Sequence, residues 1–200
     1  MARQMSITKT EEMSSVRTYI DGLSGCLQEI LRQDVAGIAD IIFKAYRQGR
    51  QTFIMGNGGS ASTASHFVCD LSLQTAIEGK PRVRVMGLTD NVAVITARAN
   101  DIDYSAIFKE QLISQLNSGD VVIGISASGN SPNVIEAIAY ARAGGATTIG
   151  LSGFSGGKLK DIADKSIVLT SRSYGQVEDA HLSLAHMISY LVRERIIGEG

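Results

Sequence analysis

Short apolar runs alternate with longer amphipathic segments along most of the chain. Runs rich in β-branched residues predict five strands, at 52–56, 82–88, 120–126, 146–152 and 165–170. The segments beside them, with spaced apolar positions, predict helices at 58–75, 91–116, 131–144 and 157–163. Alternating strands and helices are typical of a parallel sheet with helices on both faces. We therefore predict an α/β fold with three layers, αβα, around a five-stranded parallel sheet.

Two longer helical segments flank this pattern, at about 11–48 and about 176–197. Glycines within the first segment allow a break in it; they are Gly22, Gly25 and Gly37. An unbroken helix of that length would extend about 57 Å, further than a compact domain of this size is wide. Part of its apolar face therefore needs a partner. With no Pro-rich or Ser-rich linker and no repeat, we interpret 1–200 as one domain, with 1–50 as an N-terminal helical segment used in oligomerisation.

Composition excludes several classes of partner. The 200-residue chain has 19 Lys and Arg against 20 Asp and Glu, so it carries no basic field for nucleic acid or anionic lipid. No apolar run approaches the roughly 20 residues that cross a bilayer. The first fifteen residues have no apolar core like that of a signal peptide. We expect a cytoplasmic protein with neither nucleic acid nor membrane as a partner.

Two cysteines, Cys26 and Cys69, are too few for a disulfide framework or a zinc finger. We interpret both as reduced thiols. Cys69 has no identifiable cationic neighbour to favour its thiolate, so we predict that it is buried as a small apolar side chain.

Glycine-rich and serine-rich loops follow the first and third predicted strands, as GNGGSAS (56–62) and SASGNSPN (126–133). In a parallel sheet both loops belong at the carboxyl edge, where helices begin and their N–H groups face outward. Glycines allow close approach of an anion, and serine hydroxyls add donors. The alternative is that the glycines form turns and the serines cap helices; those serines are Ser60, Ser128 and Ser131. The matching positions of the two loops favour phosphate binding.

The spacing of these loops excludes familiar nucleotide sites. GNGGSA lacks the Lys-Ser/Thr ending of a P-loop and is not G-x-G-x-x-G, so no nucleotide cofactor is indicated. A small phosphorylated metabolite fits better.

The sequences GNGGSA followed by His66 and Phe67, ISASGNSPNV, a GGK turn and a final histidine-bearing helix resemble the sugar isomerase (SIS) fold. Within that fold they are similar to the phosphoheptose isomerase group over nearly the whole chain. The resemblance implies a flavodoxin-like sheet and a homotetramer with active sites between subunits. It also implies aldose–ketose isomerisation of a phosphorylated sugar, with sedoheptulose 7-phosphate as the leading substrate and a heptose 7-phosphate as product.

The resemblance also implies roles for individual residues. Asp70 and His186 would be the catalytic acid–base residues. The loops and their surroundings would bind the phosphate and the sugar hydroxyls, through Asn57, Gly58, Gly59, Ser60, Asp90, Ser126, Ala127, Ser128, Ser131 and Glu178. Several members of the group bind zinc, which here would be held by His66, Asp70, Glu178 and His186.

Without the resemblance, the same helix residues have plainer interpretations. His66 and Asp70, four residues apart, share one helix face, and Asp70 alone is typical of a surface carboxylate. Helix-facing histidines are commonly satisfied by hydrogen bonds, so zinc binding and hydrogen bonding without a metal both stay open. For His181, five residues before His186, we predict structural packing.

Four positions depart from the pattern of the group. They are Asp70 in place of Glu, Glu178 in place of Gln, Gln74 in place of a basic residue and Gly175 in place of an acidic one. Aspartate is one methylene shorter than glutamate, and a misplacement of about 1 Å can cost about a hundredfold in rate. The departures keep open a different sugar phosphate. They also keep open a non-catalytic SIS sensor or adaptor of the kind that associates with a replication initiator.

Overall fold

The computed structural model of the protein describes residues 8–31 and 33–199. Five parallel strands form one sheet in the order β2-β1-β3-β4-β5. The strands are β1 Gln51–Gly56, β2 Arg84–Gly87, β3 Val121–Ser126, β4 Thr147–Gly153 and β5 Lys165–Leu169. The helices are α1 Lys9–Ile30, α2 Val35–Arg47, α3 Gly59–Leu73, α4 Val92–Asp101, α5 Lys109–Gln115, α6 Pro132–Ala143, α7 Gly157–Ile162 and α8 Tyr174–Gly198. The predicted parallel sheet and all five strands are confirmed.

Helices cover both faces of the sheet, which gives the predicted three layers. Side chains alternate along β3, so that Ile123 and Ile125 pack toward α1, α2, α3 and α8. Val122 packs on the opposite face, toward α5, α6 and α7. Both faces of β3 are therefore buried, which explains its unbroken apolar run.

The N-terminal segment breaks between α1 and α2. Asp34 accepts a hydrogen bond from the Gly37 N–H at 2.9 Å and starts α2 as its N-cap. The break that the sequence allows is present, but it does not fall at the predicted glycines, since Gly22 and Gly25 lie inside α1.

The prediction of one helix over 91–116 is wrong. The segment contains α4, a short 3₁₀ turn at Tyr104–Ala106 and then α5. The backbone of Ile102 leaves the helical region, with φ −123° and ψ −84°. The Asp103 carboxylate then accepts the Ser105 N–H at 2.7 Å. This local side-chain bond starts a new turn instead of continuing the helix.

The long helix α8 packs on the sheet beside α3. His181 is completely buried on its inner face, so its predicted packing role is confirmed. Burial lowers the pKa of His181 to about 4, and the nearby Ser152 backbone opposes this effect only in part. None of the described helices has the length and hydrophobicity needed to span a bilayer.

The two cysteines differ in environment. Cys26 is buried and Cys69 is exposed, and both are free thiols. The prediction that Cys69 is buried is therefore wrong. Asp70, the next residue, turns into the protein instead, because adjacent residues on a helix point about 100° apart.

Candidate functional site

The two glycine and serine loops lie side by side at the carboxyl edge of the sheet. Strands β1 and β3 are neighbours, with Gly56 paired to Ile125 at their ends. After β1 the chain reverses at Gly58, whose φ of +54° favours glycine, and α3 begins at Gly59. After β3 the chain passes through 126–131 and enters α6. Two helix N-termini with their outward N–H groups therefore meet at one edge, as predicted for an anion site.

The serine hydroxyls of these loops do not make capping bonds to the helices that follow them. In the described chain the N-caps of α3 and α6 are Gly58 and Ser131, and neither makes a side-chain capping bond. The Ser131 hydroxyl lies 3.0 Å from that of Ser126 instead. Ser128 Oγ accepts the N–H of Asn130 at 3.2 Å within the loop. These contacts argue against the capping alternative for Ser131 and keep the hydroxyls of Ser126 and Ser131 together.

The second loop is held in shape by the turn that follows β4. The N–H of Gly153 donates to the Ala127 carbonyl at 2.8 Å, and the N–H of Leu159 donates to the Gly129 carbonyl at 2.9 Å. Gly129 has φ +66°, and a methyl group there would lie 1.9 Å from the Gly156 carbonyl oxygen. Segment 153–159, which contains the GGK sequence, therefore holds the serine loop in shape, and we call this segment the clamp.

His66, Asp70 and His186 form one cluster between α3 and α8. The Nε2 atoms of the histidines are 2.9 Å apart. Asp70 places Oδ1 3.5 Å from His66 Nε2 and Oδ2 3.4 Å from His186 Nε2. The histidine side chains are 48% exposed, whereas Asp70 is buried. A buried carboxylate thus supports two rings that are open to a ligand.

The donor set of this cluster fits a divalent metal ion. One ligand atom from each of the three residues lies within 4.8 Å of the others. Asp70 Oδ2 is buried and has no hydrogen-bond partner among residues 8–31 and 33–199. Two imidazoles and a carboxylate, with a further position open, are a zinc ligand set of the catalytic kind. An unpartnered buried carboxylate oxygen is costly, and a cation would satisfy it.

The structure does not bring Glu178 into this cluster. Glu178 lies eight residues before His186 on α8, about 12 Å along the helix axis. Its carboxylate packs over Gly59, where a methyl group would lie only 2.2 Å from Glu178 Oε2. Glu178 therefore lies beside the first turn of α3, near the predicted substrate loops and apart from the metal-type cluster.

Asn57 and Asp90 lie at the same edge but already have protein partners. Asn57 and Asn133 exchange two amide hydrogen bonds, both 2.9 Å long. The Tyr104 hydroxyl donates to Asn57 Oδ1 at 3.0 Å. Asp90 accepts the hydroxyl of Ser65, one turn before Asp70 on α3.

Sequence reasoning missed Asn133, Tyr104 and Ser65. Asn133 follows the proline of SPN, inside a segment interpreted only as phosphate loop and helix start. Tyr104 lies within 91–116, which was interpreted as one continuous helix. That interpretation gave no reason to place Tyr104 beside Asn57. Ser65 is the residue before His66 on α3. This adjacency could have indicated that two neighbouring faces of α3 both carry site residues at the carboxyl edge of the sheet.

The departures Gly175 and Gln74 lie in different surroundings. A methyl group at Gly175 would lie 2.8 Å from Tyr19 Oη, so the phenol of α1 occupies the space in front of this glycine. The Tyr19 hydroxyl donates to Asp179 Oδ2 at 2.6 Å, and this bond raises the Tyr19 pKa. Gln74 is exposed at the end of α3.

The parallel sheet, its paired helix N-termini and the serine loop together define an α/β protein of the SIS type. Residues 18–153 match the family model described as SIS domain. The chain belongs to the SIS domain family, and its close relatives within that family are phosphoheptose isomerases.

Two of these relatives cover most of both chains. A probable phosphoheptose isomerase from Thermoplasma acidophilum is 41% identical over 163 residues, which are 82% of this chain and 89% of the relative. The phosphoheptose isomerase from Geobacter sulfurreducens is 37% identical over 172 residues, covering 85% and 89%. The structure of a phosphoheptose isomerase from Neisseria gonorrhoeae superposes with a TM-score of 0.84 at 26% identity, covering 94% of this chain and 100% of the other.

Proposed function

We propose that this protein is an aldose–ketose isomerase that converts sedoheptulose 7-phosphate into a heptose 7-phosphate. The observation that carries the proposal is the buried Asp70 carboxylate between two exposed imidazoles at a serine and glycine loop edge. The full-length similarity to phosphoheptose isomerases supports the substrate. No observation on the described residues favours the sensor or adaptor alternative.

Isomerisation moves a proton between neighbouring carbons through an enediol. A base takes the proton from the carbon beside the carbonyl while an acid protonates the carbonyl oxygen, which gives the enediol. The proton then goes to the former carbonyl carbon, and the hydroxyl on the first carbon gives its proton back to the acid–base group and becomes the new carbonyl. Asp70 is the proposed base in the metal-free cluster, where its Oδ2 makes no hydrogen bond within the described chain. His186, 3.4 Å from Oδ2, is the proposed group that exchanges protons with the sugar oxygens.

The loops supply binding and orientation in this proposal. Ser60, Ser126, Ser128 and Ser131, with the backbone of Gly58, Gly59 and Ala127, would surround the phosphate. The N-termini of α3 and α6 favour its negative charge. Asn57, Asp90 and Glu178 would contact the sugar. Holding the phosphate fixes the reacting carbons, which a neutral serine loop can do without a lysine or arginine.

Zinc is a proposed alternative occupant of the same cluster, with His66, Asp70 and His186 as its ligands, and the atoms that hold the ion are then not available for proton transfer. When bound, the ion would polarise the sugar carbonyl as a Lewis acid. Its ligand set is the three residues that the structure brings together, and the carboxylate of Glu178 stays with the substrate residues. The unpartnered Asp70 oxygen supports this assignment.

A homotetramer is also proposed. Apolar side chains of α1 are more than half exposed, namely Met13, Val16 and Ile20. A row of this kind on one helix is typical of a protein interface. Sedimentation of the full chain tests the proposal, and a fully active monomer would contradict it.

The two free thiols support a reducing, cytoplasmic location, which cell fractionation tests.

The activity test uses purified full chain incubated with sedoheptulose 7-phosphate, with and without added zinc. We expect an aldose heptose 7-phosphate to appear and the reaction to stop short of completion at an equilibrium mixture. The Asp70→Asn variant is the matched negative control. Absence of turnover over a panel of ketose phosphates, under both metal conditions, would refute the enzyme proposal.

A further inference from the structure

We infer that Asn133 is a positioning residue that fixes the Asn57 amide so that it offers the sugar one N–H donor and no acceptor. The inference deepens the proposed function and rests on it, since Asn57 is a proposed sugar contact. It adds a residue outside that proposal and states which kind of sugar atom Asn57 can recognise.

The orientation of the Asn133 amide is set by the backbone of α6. The Val134 N–H can act only as a donor, and it lies 2.9 Å from one end of the Asn133 side chain. That end must therefore be the carbonyl oxygen, Oδ1. The other end, Nδ2, then faces Asn57.

The orientation of Asn57 follows from that of Asn133. Asn133 Nδ2 can only donate, so the Asn57 atom 2.9 Å away must be its oxygen. Asn57 Nδ2 in turn donates to Asn133 Oδ1, also at 2.9 Å. The chain of assignments starts at a backbone N–H and leaves no second arrangement of the two amides.

The hydrogen-bonding capacity of Asn57 is then largely used. Its oxygen has two lone pairs, and these accept from Asn133 Nδ2 and from the Tyr104 hydroxyl. One of its two N–H hydrogens is bonded to Asn133. A single N–H donor remains, on a side chain that is partly exposed at the loop edge.

A lone donor recognises an oxygen that can accept. Because the proposed function makes Asn57 a sugar contact, its ligand atom is a sugar hydroxyl oxygen or a carbonyl oxygen, and not a group that can only donate. Asn133 is 1% exposed, so it acts on the ligand through Asn57 and does not touch it. The pair also ties the end of β1 to the first turn of α6, which joins the two loops of the site.

The experiment compares Asn133→Leu, Asn57→Ser and the double variant in the full chain. Each variant is assayed for KM, kcat and affinity for sedoheptulose 7-phosphate, and separately for affinity for inorganic phosphate. We expect Asn133→Leu to weaken sugar-phosphate affinity about tenfold, as for loss of one hydrogen bond, and to leave phosphate affinity unchanged. The double variant should lose no more than Asn57→Ser alone, because both changes remove the same contact.

Two controls separate positioning from folding. Asn133→Ala removes the same bonds to Asn57 with a smaller side chain and no added charge, so it replaces Asn133→Leu if the leucine variant does not fold. Asn100→Leu changes an exposed amide on α4 and should alter neither affinity. Losses that multiply in the double variant, or an equal loss of phosphate affinity, would overturn the inference.

A further measurement distinguishes failure of this inference from failure of the proposed function. If the wild-type chain neither binds nor converts sedoheptulose 7-phosphate, the proposed function fails. The amide pair is then judged by exchange of the Asn57 side-chain amide hydrogens in ¹⁵N-labelled protein. We expect Asn133→Leu to accelerate this exchange at least tenfold, and an unchanged exchange rate would overturn the inference.

Discussion

The Nε2 atoms of His66 and His186 lie 2.9 Å apart, although the residues are 120 positions apart in the chain. One nitrogen donates a hydrogen to the other, and Asp70 lies within 3.5 Å of both rings. The same two nitrogens are the proposed zinc ligands. Occupation by a proton and occupation by a metal are therefore alternatives, which makes zinc affinity dependent on pH.

Replacing His66 by alanine should remove zinc. The variant loses one of three ligands, so we expect zinc affinity to fall at least tenfold. Metal content after dialysis against a limiting chelator measures this effect. Cys69→Ser is the matched control, because Cys69 is an exposed thiol next to Asp70. Loss of zinc in Cys69→Ser would show that the metal binds elsewhere on α3.

Asp70→Asn should remove most turnover. The amide has nearly the same shape but cannot accept the substrate proton, so we expect kcat to fall by about 10²–10⁴-fold. Affinity for inorganic phosphate should stay within about twofold of wild type, since the serine loop is untouched. Asp101→Asn, on the exposed end of α4, is the control. Wild-type turnover in Asp70→Asn would remove Asp70 from the mechanism.

Ser128→Ala should act on binding and not on chemistry. Loss of a loop hydroxyl should weaken sugar-phosphate binding by about 0.5–3 kcal/mol, the upper end applying if its partner is a charged phosphate oxygen. Titration calorimetry measures this directly. Ser118→Ala, in an exposed loop at the opposite edge of the sheet, should leave affinity unchanged. A drop in kcat with unchanged affinity would contradict the assigned role.

Gly129→Ala and Gly49→Ala form a pair that isolates a steric effect. Both glycines have nearly the same φ, +66° and +65°. A methyl group at Gly49 meets nothing within 4 Å, whereas one at Gly129 would lie 1.9 Å from the Gly156 oxygen. We expect Gly49→Ala to lower the free energy of unfolding by about 1–2 kcal/mol, the cost of the backbone conformation.

Because of the clamp, Gly129→Ala should destabilise the protein more than Gly49→Ala does. We expect a further loss of about 1–3 kcal/mol, together with loss of phosphate binding, because the loop must move away from segment 153–159. Urea denaturation of both variants measures the difference. Equal stabilities would mean that the loop and the clamp adjust without cost.

Stability should fall below about pH 6.5 because of His181. Its pKa is about 4 in the folded protein and 6.5 when exposed, so the unfolded chain binds the proton more tightly. The free energy of unfolding has its full value above pH 6.5 and decreases as the pH is lowered towards 4. The total loss is on the order of 3 kcal/mol. In His181→Leu this part of the pH dependence should disappear, and a curve with unchanged slope would contradict the assignment.

The layered fold could be predicted from the sequence because burial on both faces imposes unbroken apolar runs on strands such as β3. The split after α4 could not, since it depends on one carboxylate, Asp103, competing for a backbone N–H. Apolar spacing reports which face of a helix is buried. It does not report where the helix ends.

The cluster of His66, Asp70 and His186 was predictable in part, for a geometric reason. A four-residue spacing places His66 and Asp70 on one face of α3, whatever surrounds them. Glu178 lies two turns before His186 on α8, and its carboxylate packs at Gly59 instead of joining the cluster, which the spacing alone did not indicate. Asn133 depends on a contact between two loops 76 positions apart, which no local spacing encodes.

The clamp makes the shape of the proposed phosphate site depend on residues late in the chain. A fragment ending at residue 145 would carry GNGGSAS and SASGNSPN complete, yet it would lack the N–H groups of Gly153 and Leu159 that hold the second loop. We therefore expect a ligand of the proposed phosphate site to bind best to a chain in which segment 153–159 has docked, and to stabilise that state by mass action. If inorganic phosphate protects the protein against heat, this protection should vanish in any variant that detaches segment 153–159, even where the early loops keep their sequence.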